Sequence, residues 1–184
     1  MLNLGRTTLE NSAELTLPVN TRARNQPPLP DNYVGNAFYI TYTTLPVKVL
    51  VDDMGNSLAK AAGVIRESID DVTSDKVHDL HRLIDSVSST AVNKVVQARL
   101  TPANYSGPGF FLASHFSLKL QDWDWGPMLG HFPEAYRMTT DTIIPGIPNV
   151  FPRTRDGGLE IAMAWDDDIW KQLSEDPVWN QYVS

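Results

Sequence analysis

The stretch "VNTRARNQPPLPDNYVGNAFYITYTTLPV", Val19–Val47, describes two strands joined by a stiff extended connection. Upstream, "ELTLPVN" from Glu14 alternates apolar and polar residues, the pattern of a half-buried strand. Pro27, Pro28 and Pro30, followed by Gly35, bar a helix here, because proline has no N–H to donate and pushes the residue before it into extended backbone. The segment "AFYITYTTLPV" is uncharged and rich in aromatic and β-branched residues, which predicts a central or half-covered strand.

Beyond this pair the pattern turns helical. Asn56 or Ser57 is placed to cap a helix through about Asp71, with Leu58, Ala61, Ala62, Ile65 and Ile69 on one face. Ser74 then caps a longer helix in which Val77, Leu80, Ile84, Val87, Ala91 and Val95 recur at helical spacing, an amphipathic element that packs on a sheet. After the break "TPANYSGPG", the segment "FFLASHFSLKL" reads as a strand, and an irregular stretch rich in Trp, Gly and Pro runs to about Pro152. The strand "LEIAMAW" and a short helix from about Asp166, with an acidic first turn suited to the helix dipole, close the chain. Strands, then two consecutive helices, then more strands predict a two-layer α/β sandwich, a mixed sheet covered by helices, with residues 1–184 as a single domain.

Composition narrows the function classes. The chain has 184 residues, 42% hydrophobic and 20% charged, enough for one domain with a core. Its net charge of -7 and 15 scattered basic residues argue against nucleic acid as a partner, since phosphate contacts need clustered Lys and Arg. No cysteine is present, so disulfides, thiolate metal sites and a cysteine nucleophile are excluded, in keeping with a reducing compartment. The first residues lack the basic and apolar regions of a signal peptide, and no apolar run reaches the roughly 18 residues of a membrane span. A cytoplasmic protein without membrane association is the expectation.

Several local groupings invite catalytic readings. In "HRLID", His81 and Asp85 stand one helical turn apart, and His78 extends them to a two-histidine, one-carboxylate set of metal-ligand type. A solvated helix face interspersed with Asp79 and Arg82 accounts for all of them, because nothing nearby excludes water or orients the ligands. No metal is expected. In "ASHFS", strand alternation sends Ser114 and His115 to opposite faces, so the two cannot act as nucleophile and base. Asp156–Gly158, "DGG", makes a hairpin turn before the last strand, and helix capping explains the acidic run Asp166–Asp168 without a cation.

Two longer stretches carry a family resemblance. "VNTRARNQPPLPDNYVGNAF" resembles V-[DN]-x-R-x-R-x-x-P-P-L-P-x-x-Y-x-G-N in the second half of the BAHD acyltransferases, the coenzyme A-dependent transferases that include fungal trichothecene acetyltransferases and plant hydroxycinnamoyltransferases. "SHFSLKLQDWDWGPMLGHFPEAYR" is similar to that family's strand and D-F-G-W-G loop, and "FPRTRDGGLEIAMAWDDDIWKQLSEDPVW" to its closing strand and helix. The resemblance runs from about Leu15 to Trp179, and the L-G-x-x-P-E before Arg137 is closer to the fungal branch. Aligning Asp124, Trp125 and Gly126 with D-F-G keeps the glycine. Leu129 and Gly130 then replace W-G after a two-residue insertion, with Pro133, Glu134 and Arg137 in order. Ser117 stands where some plant members carry an arginine for an acidic acceptor, so that acceptor type is not implied.

The resemblance implies a chloramphenicol acetyltransferase-like fold, of which this chain is the C-terminal half, and an acyl-CoA co-substrate with no bound cofactor. The family's catalytic H-x-x-x-D-G lies in the first half, upstream of everything matched here. "HRLID" lies downstream of Tyr33, Gly35 and Asn36 and is followed by Ser86 rather than glycine, so His81 and Asp85 are a look-alike. By resemblance the chain forms one wall of a channel between two domains, which coenzyme A and a small-molecule acceptor enter from opposite faces. Ser114 falls on the pantetheine side, with Tyr33, Asn36 and Arg24 as channel-lining positions. Asp124, Trp125, Gly126, Gly130, Arg22 and Gly35 shape the domain, and Arg22 and Arg24 are matched to a buried acid or to coenzyme A phosphates. The face left open by an absent N-terminal half is a place for a protein partner.

Overall fold

The computed structural model describes residues 8–52, 54–99, 109–137 and 146–183. The chain divides into two compact units, Leu2–Phe110 and Phe111–Ser184.

The first unit is built on the strand pair expected from the sequence. Strands β1 (Ser12–Asn20) and β2 (Phe38–Pro46) pair antiparallel from Ser12↔Pro46 to Asn20↔Phe38. The short β3 (Phe110–Phe111) follows on the other side of β1, giving the order β2-β1-β3. Gly109 lies so close to β1 that a Cβ there would sit 2.7 Å from the Glu14 carbonyl oxygen. Helices α1 (Val47–Val51), α2 (Met54–Asp70), α3 (Ser74–Ser86) and α4 (Ser89–Arg99) come between β2 and β3. The core gathers Val19 from β1, Val72 from the α2–α3 connection and Val77 from α3, with Tyr39 and Ile69 packed against them. Because directly opposed residues share a face, Leu17, Val19, Tyr39, Thr41 and Thr43 form the covered side of the pair, and Thr41 donates to the Ser68 carbonyl of α2.

The helices depart from expectation in three ways. Helix α2 begins at Met54, ahead of Asn56 and Ser57, and Ser57 is buried and donates to the Val49 carbonyl of α1 instead of capping. Thr73, not Ser74, caps α3 by accepting from the Lys76 N–H. The single long helix is two, because Val87 is extended and Ser88 caps α4 by accepting from the Ala91 N–H. The serines of "SVSS" offer the backbone competing local bonds, as the Ser86 hydroxyl does at the Leu83 carbonyl. The apolar stripe therefore buries Val77 but leaves Ile84 and Val87 exposed. Leu58 is exposed as well. The side chain of Val95 and most of the "TPANYSGPG" break lie outside the described residues.

The second unit holds a smaller sheet. Strands β4 (Ala113–Ser114) and β5 (Asn149–Val150) are parallel, and β5 pairs antiparallel with β6 (Ile161–Ala162). The strand expected from "FFLASHFSLKL" ends early, because a turn closed by the Leu118 N–H on the His115 carbonyl follows β4. Only Ile161 and Ala162 of "LEIAMAW" are paired. The hairpin turn at Asp156–Gly158 forms, with the Gly157 N–H on the Thr154 carbonyl and Gly157 in the left-handed region that favours glycine. Helix α5 (Asp167–Glu175) starts after Asp166 as expected, but the Asp166 side chain makes no capping bond, so the acidic turn acts through the dipole alone. Among the described residues no helix is long and apolar enough to cross a membrane.

Candidate functional site

In the first unit, the connection from β1 to β2 is held by two arginines. Thr21, buried, starts it by donating its N–H to the Ala37 carbonyl, and a 3-10 turn, Arg22–Arg24, follows. Arg22 folds back across the segment: Nη2 donates to the Gly35 carbonyl (2.8 Å), Nε to the Tyr33 carbonyl (3.4 Å) and Nη1 to Asn20 Oδ1 (3.3 Å). The Tyr33 ring, 5.9 Å from the guanidinium carbon, lies over Gly35, where any Cβ would collide with it. Arg24 reaches the end of α2, and its Nη1 donates to the carbonyls of Ile69 and Val72, both at 2.9 Å. These acceptors lie at a helix C-terminus, where a cation is favoured, and the Ile69 carbonyl also accepts the Val72 N–H (3.3 Å). Both arginines thus find main-chain carbonyls where the sequence suggested an acid or a phosphate. Tyr33 and Asn36 are exposed at the surface of this connection.

In the second unit, Ser114 is exposed on β4 while His115 turns inward, its ring 5.9 Å from Tyr136, which in turn meets the buried Phe151 edge-on at 5.6 Å. The tryptophan loop is closed by Asp124. Its Oδ1 accepts from the Gly126 N–H (2.7 Å) and lies 2.9 Å from His131 Nδ1. The main chain repeats the link, with the Trp125 N–H on the His131 carbonyl (2.5 Å) and the His131 N–H on the Gly126 carbonyl (2.9 Å). Gly126 and Gly130 both have positive φ and bracket a 3-10 turn, Pro127–Leu129, which is why side chains are excluded at those two positions. Arg137 pairs bidentately with Glu160, Nη2 to Oε1 at 2.7 Å and Nη1 to Oε2. Arg153 and Arg155 stack on Phe116 and Phe132 at 5.0 and 5.3 Å.

The sequence missed His131 as the partner of Asp124 and Glu160 as the partner of Arg137. Neither pair has a helical or strand period, so only the folded loop brings them together. Hydrogen bonds hold the carboxyls of Asp156 and Asp176 below the usual carboxylate range. At Asp156 the Thr154 hydroxyl contributes most and the Gly158 N–H next; at Asp176 it is the Trp179 N–H, then that of Val178. His81 and Asp85 are exposed on α3, where the nearby ion pair is Arg82 with Asp79, 2.6 Å. Among the described residues no three His, Cys, Asp or Glu side chains converge as a metal site would require.

Comparison with known proteins supplies the family. The Transferase family model matches residues 3–165. The chain is 29% identical to the Penicillium crustosum protein claC, named an enoyl-CoA isomerase/hydratase, over 91% of this chain and 18% of that protein. It is 24% identical to the O-acetyltransferase pboB of Aspergillus ustus, over 91% of this chain and 33% of the relative. Its fold is similar to that of Fusarium graminearum TRI101 bound to coenzyme A and deoxynivalenol, with a TM-score of 0.74, 20% identity, and coverage of 97% of this chain and 38% of that one. The chain thus spans a third or less of these two curated relatives. With the family model matched over residues 3–165 and an α/β fold shared with TRI101, this chain belongs to the Transferase family, the BAHD acyltransferases.

Proposed function

We propose that residues 1–184 are the C-terminal domain of a two-domain enzyme that transfers an acyl group from acyl-CoA to a hydroxyl or amine of a small, secondary-metabolite-type acceptor. The observation that carries this reading is the match to the family model over residues 3–165 on a chain that spans only 38% of its structural neighbour. In the reaction, the acceptor oxygen or nitrogen attacks the thioester carbonyl, its proton passes to an imidazole acting as general base, and coenzyme A leaves as the thiol. That imidazole belongs to the half not present here, so the chain alone is inactive or very weak. Exposed Ser114 in one unit, and exposed Tyr33 and Asn36 in the other, are the positions we assign to contact with coenzyme A or acceptor. Arg24 contributes through the helix end it holds, because its Nη1 is already engaged by two carbonyls.

The test is acyl transfer from acetyl-CoA on supplying the family's N-terminal half, with His81→Ala alongside. Transfer that appears with the added half and survives His81→Ala supports the proposal. Transfer by the isolated chain that His81→Ala abolishes would instead make His81 and Asp85 catalytic. A second reading, a non-catalytic half-domain that binds another protein, is favoured by the apolar surface left open on β2, and stable association with an unrelated partner without acyl transfer would establish it.

A further inference from the structure

The turn ahead of β6 has a chemical feature found once in the sequence. Asp156–Gly157 is the chain's single Asp-Gly pair, and no Asn-Gly pair occurs. A glycine after an aspartate leaves its main-chain nitrogen unshielded by a side chain, so that nitrogen can attack the carboxyl carbon Cγ. A C–N bond forms, the amide proton leaves with a carboxyl oxygen as water, and a five-membered succinimide results. Water then reopens the ring, and its addition at the main-chain carbonyl leaves the chain running through Cβ, an isoaspartate of unchanged mass. Water is the only co-reactant, and it reaches the turn freely, because positions 155–159 are exposed.

In the folded turn both reacting groups are engaged. Asp156 Oδ1 accepts from the Thr154 hydroxyl and from the Gly158 N–H (3.1 Å). Hydrogen bonds to the charged form keep the carboxyl ionised, and the carbon of a carboxylate is a poorer electrophile than that of the free acid. On the other side of the reaction, the Gly157 N–H donates to the Thr154 carbonyl (3.0 Å), and the Gly157 carbonyl accepts from Arg153 Nη1 (2.9 Å). Thr154 thus holds the electrophile through its hydroxyl and the nucleophile through its main chain.

We propose that Asp156–Gly157 is a latent isoaspartate site and that the Thr154 hydroxyl keeps it closed in the folded protein. The modification would act on the unit around it. An added main-chain carbon lengthens the connection whose ends meet where the Phe151 N–H donates to the Glu160 carbonyl (2.9 Å). The strand on one side of that connection, β5, pairs with β4, which carries Ser114.

The test ages the 184-residue chain at neutral pH, folded in buffer and unfolded in concentrated urea. Isoaspartate is counted by the methyl groups that an isoaspartyl methyltransferase delivers from S-adenosylmethionine, with Asp156→Glu, which closes no five-membered ring, as the baseline. The urea transition of every sample is recorded alongside. The parent should form isoaspartate about tenfold more slowly folded than unfolded. Thr154→Val keeps the shape and drops the hydroxyl, so when folded it should run about threefold faster than the parent, and when unfolded at the parent's rate. Thr154→Ser, which restores a hydroxyl, should be as slow as the parent. Equal rates in the folded and unfolded parent, a comparison that needs no substitution, would overturn the proposal. So would a folded Thr154→Val as slow as the parent, or methyl uptake that persists undiminished in Asp156→Glu.

Discussion

The β1–β2 connection and the tryptophan loop are both irregular, and they are held by opposite means. In the first, Arg24 ties residue 24 to carbonyls 45 and 48 positions along the chain, so the connection is fastened to the end of a helix. In the second, Asp124 reaches only to residues two and seven positions away, so the loop closes on itself. A side chain that satisfies helix-end carbonyls supports the packing of its whole unit, whereas a self-closed, half-exposed loop can open without disturbing its surroundings. The difference predicts a ranking of substitutions.

The largest effect belongs to Arg24→Ala. It strips two part-buried carbonyls of a charged donor and should destabilise the first unit by about 2–3 kcal/mol, read as a lower urea midpoint with an unchanged slope. Asp124→Ala removes one backbone bond and one link to a half-exposed histidine. It should cost about 0.5–1 kcal/mol after allowance for solvent screening. If the two variants proved equal, the contrast between a fastened and a self-closed segment would be lost. Tryptophan emission sharpens it further, because Trp123 and Trp125 flank Asp124 and should report local opening in Asp124→Ala before global unfolding.

The smallest effect is expected from acid. Asp156 and Asp176 are both held below the usual carboxylate range, so their contribution to stability is fully present above about pH 4 and is lost as pH falls through their lowered values. Asp156→Asn combined with Asp176→Asn should therefore flatten the stability profile below about pH 4 and leave it parallel to the parent above. An unchanged acid limb would show that neither carboxyl is coupled to folding.

What was legible in the sequence follows from what has a period. β1, β2 and the core face of α2 near Ile69 repeat at two or 3.6 residues, and they form nearly where the pattern places them. The stripe from Val77 to Val95 has the right period too, but serine hydroxyls at 86 and 88 break the helix, a local competition that a periodicity count does not weigh. In the second unit the strands are two residues long, too short for any alternation to register. The motif glycines fared better, since the left-handed backbone at Gly126 and Gly130 is what their retention in the loop pattern implies. The carbonyls that hold Arg24 lie 45 and 48 residues away and the carboxylate that holds Arg137 lies 23 away, and no spacing rule reaches them.

The central proposal, that acyl transfer by these residues needs the family's N-terminal half as well, can be read from one signal. Coenzyme A released from acetyl-CoA is a thiol, and a protein without cysteine adds none to the background. With simple alcohols and amines offered as acceptors, the 184-residue chain should leave the thioester intact, and the same chain supplied with the family's N-terminal half should release coenzyme A in proportion to enzyme. Catalytic release by the 184-residue chain alone would contradict the account.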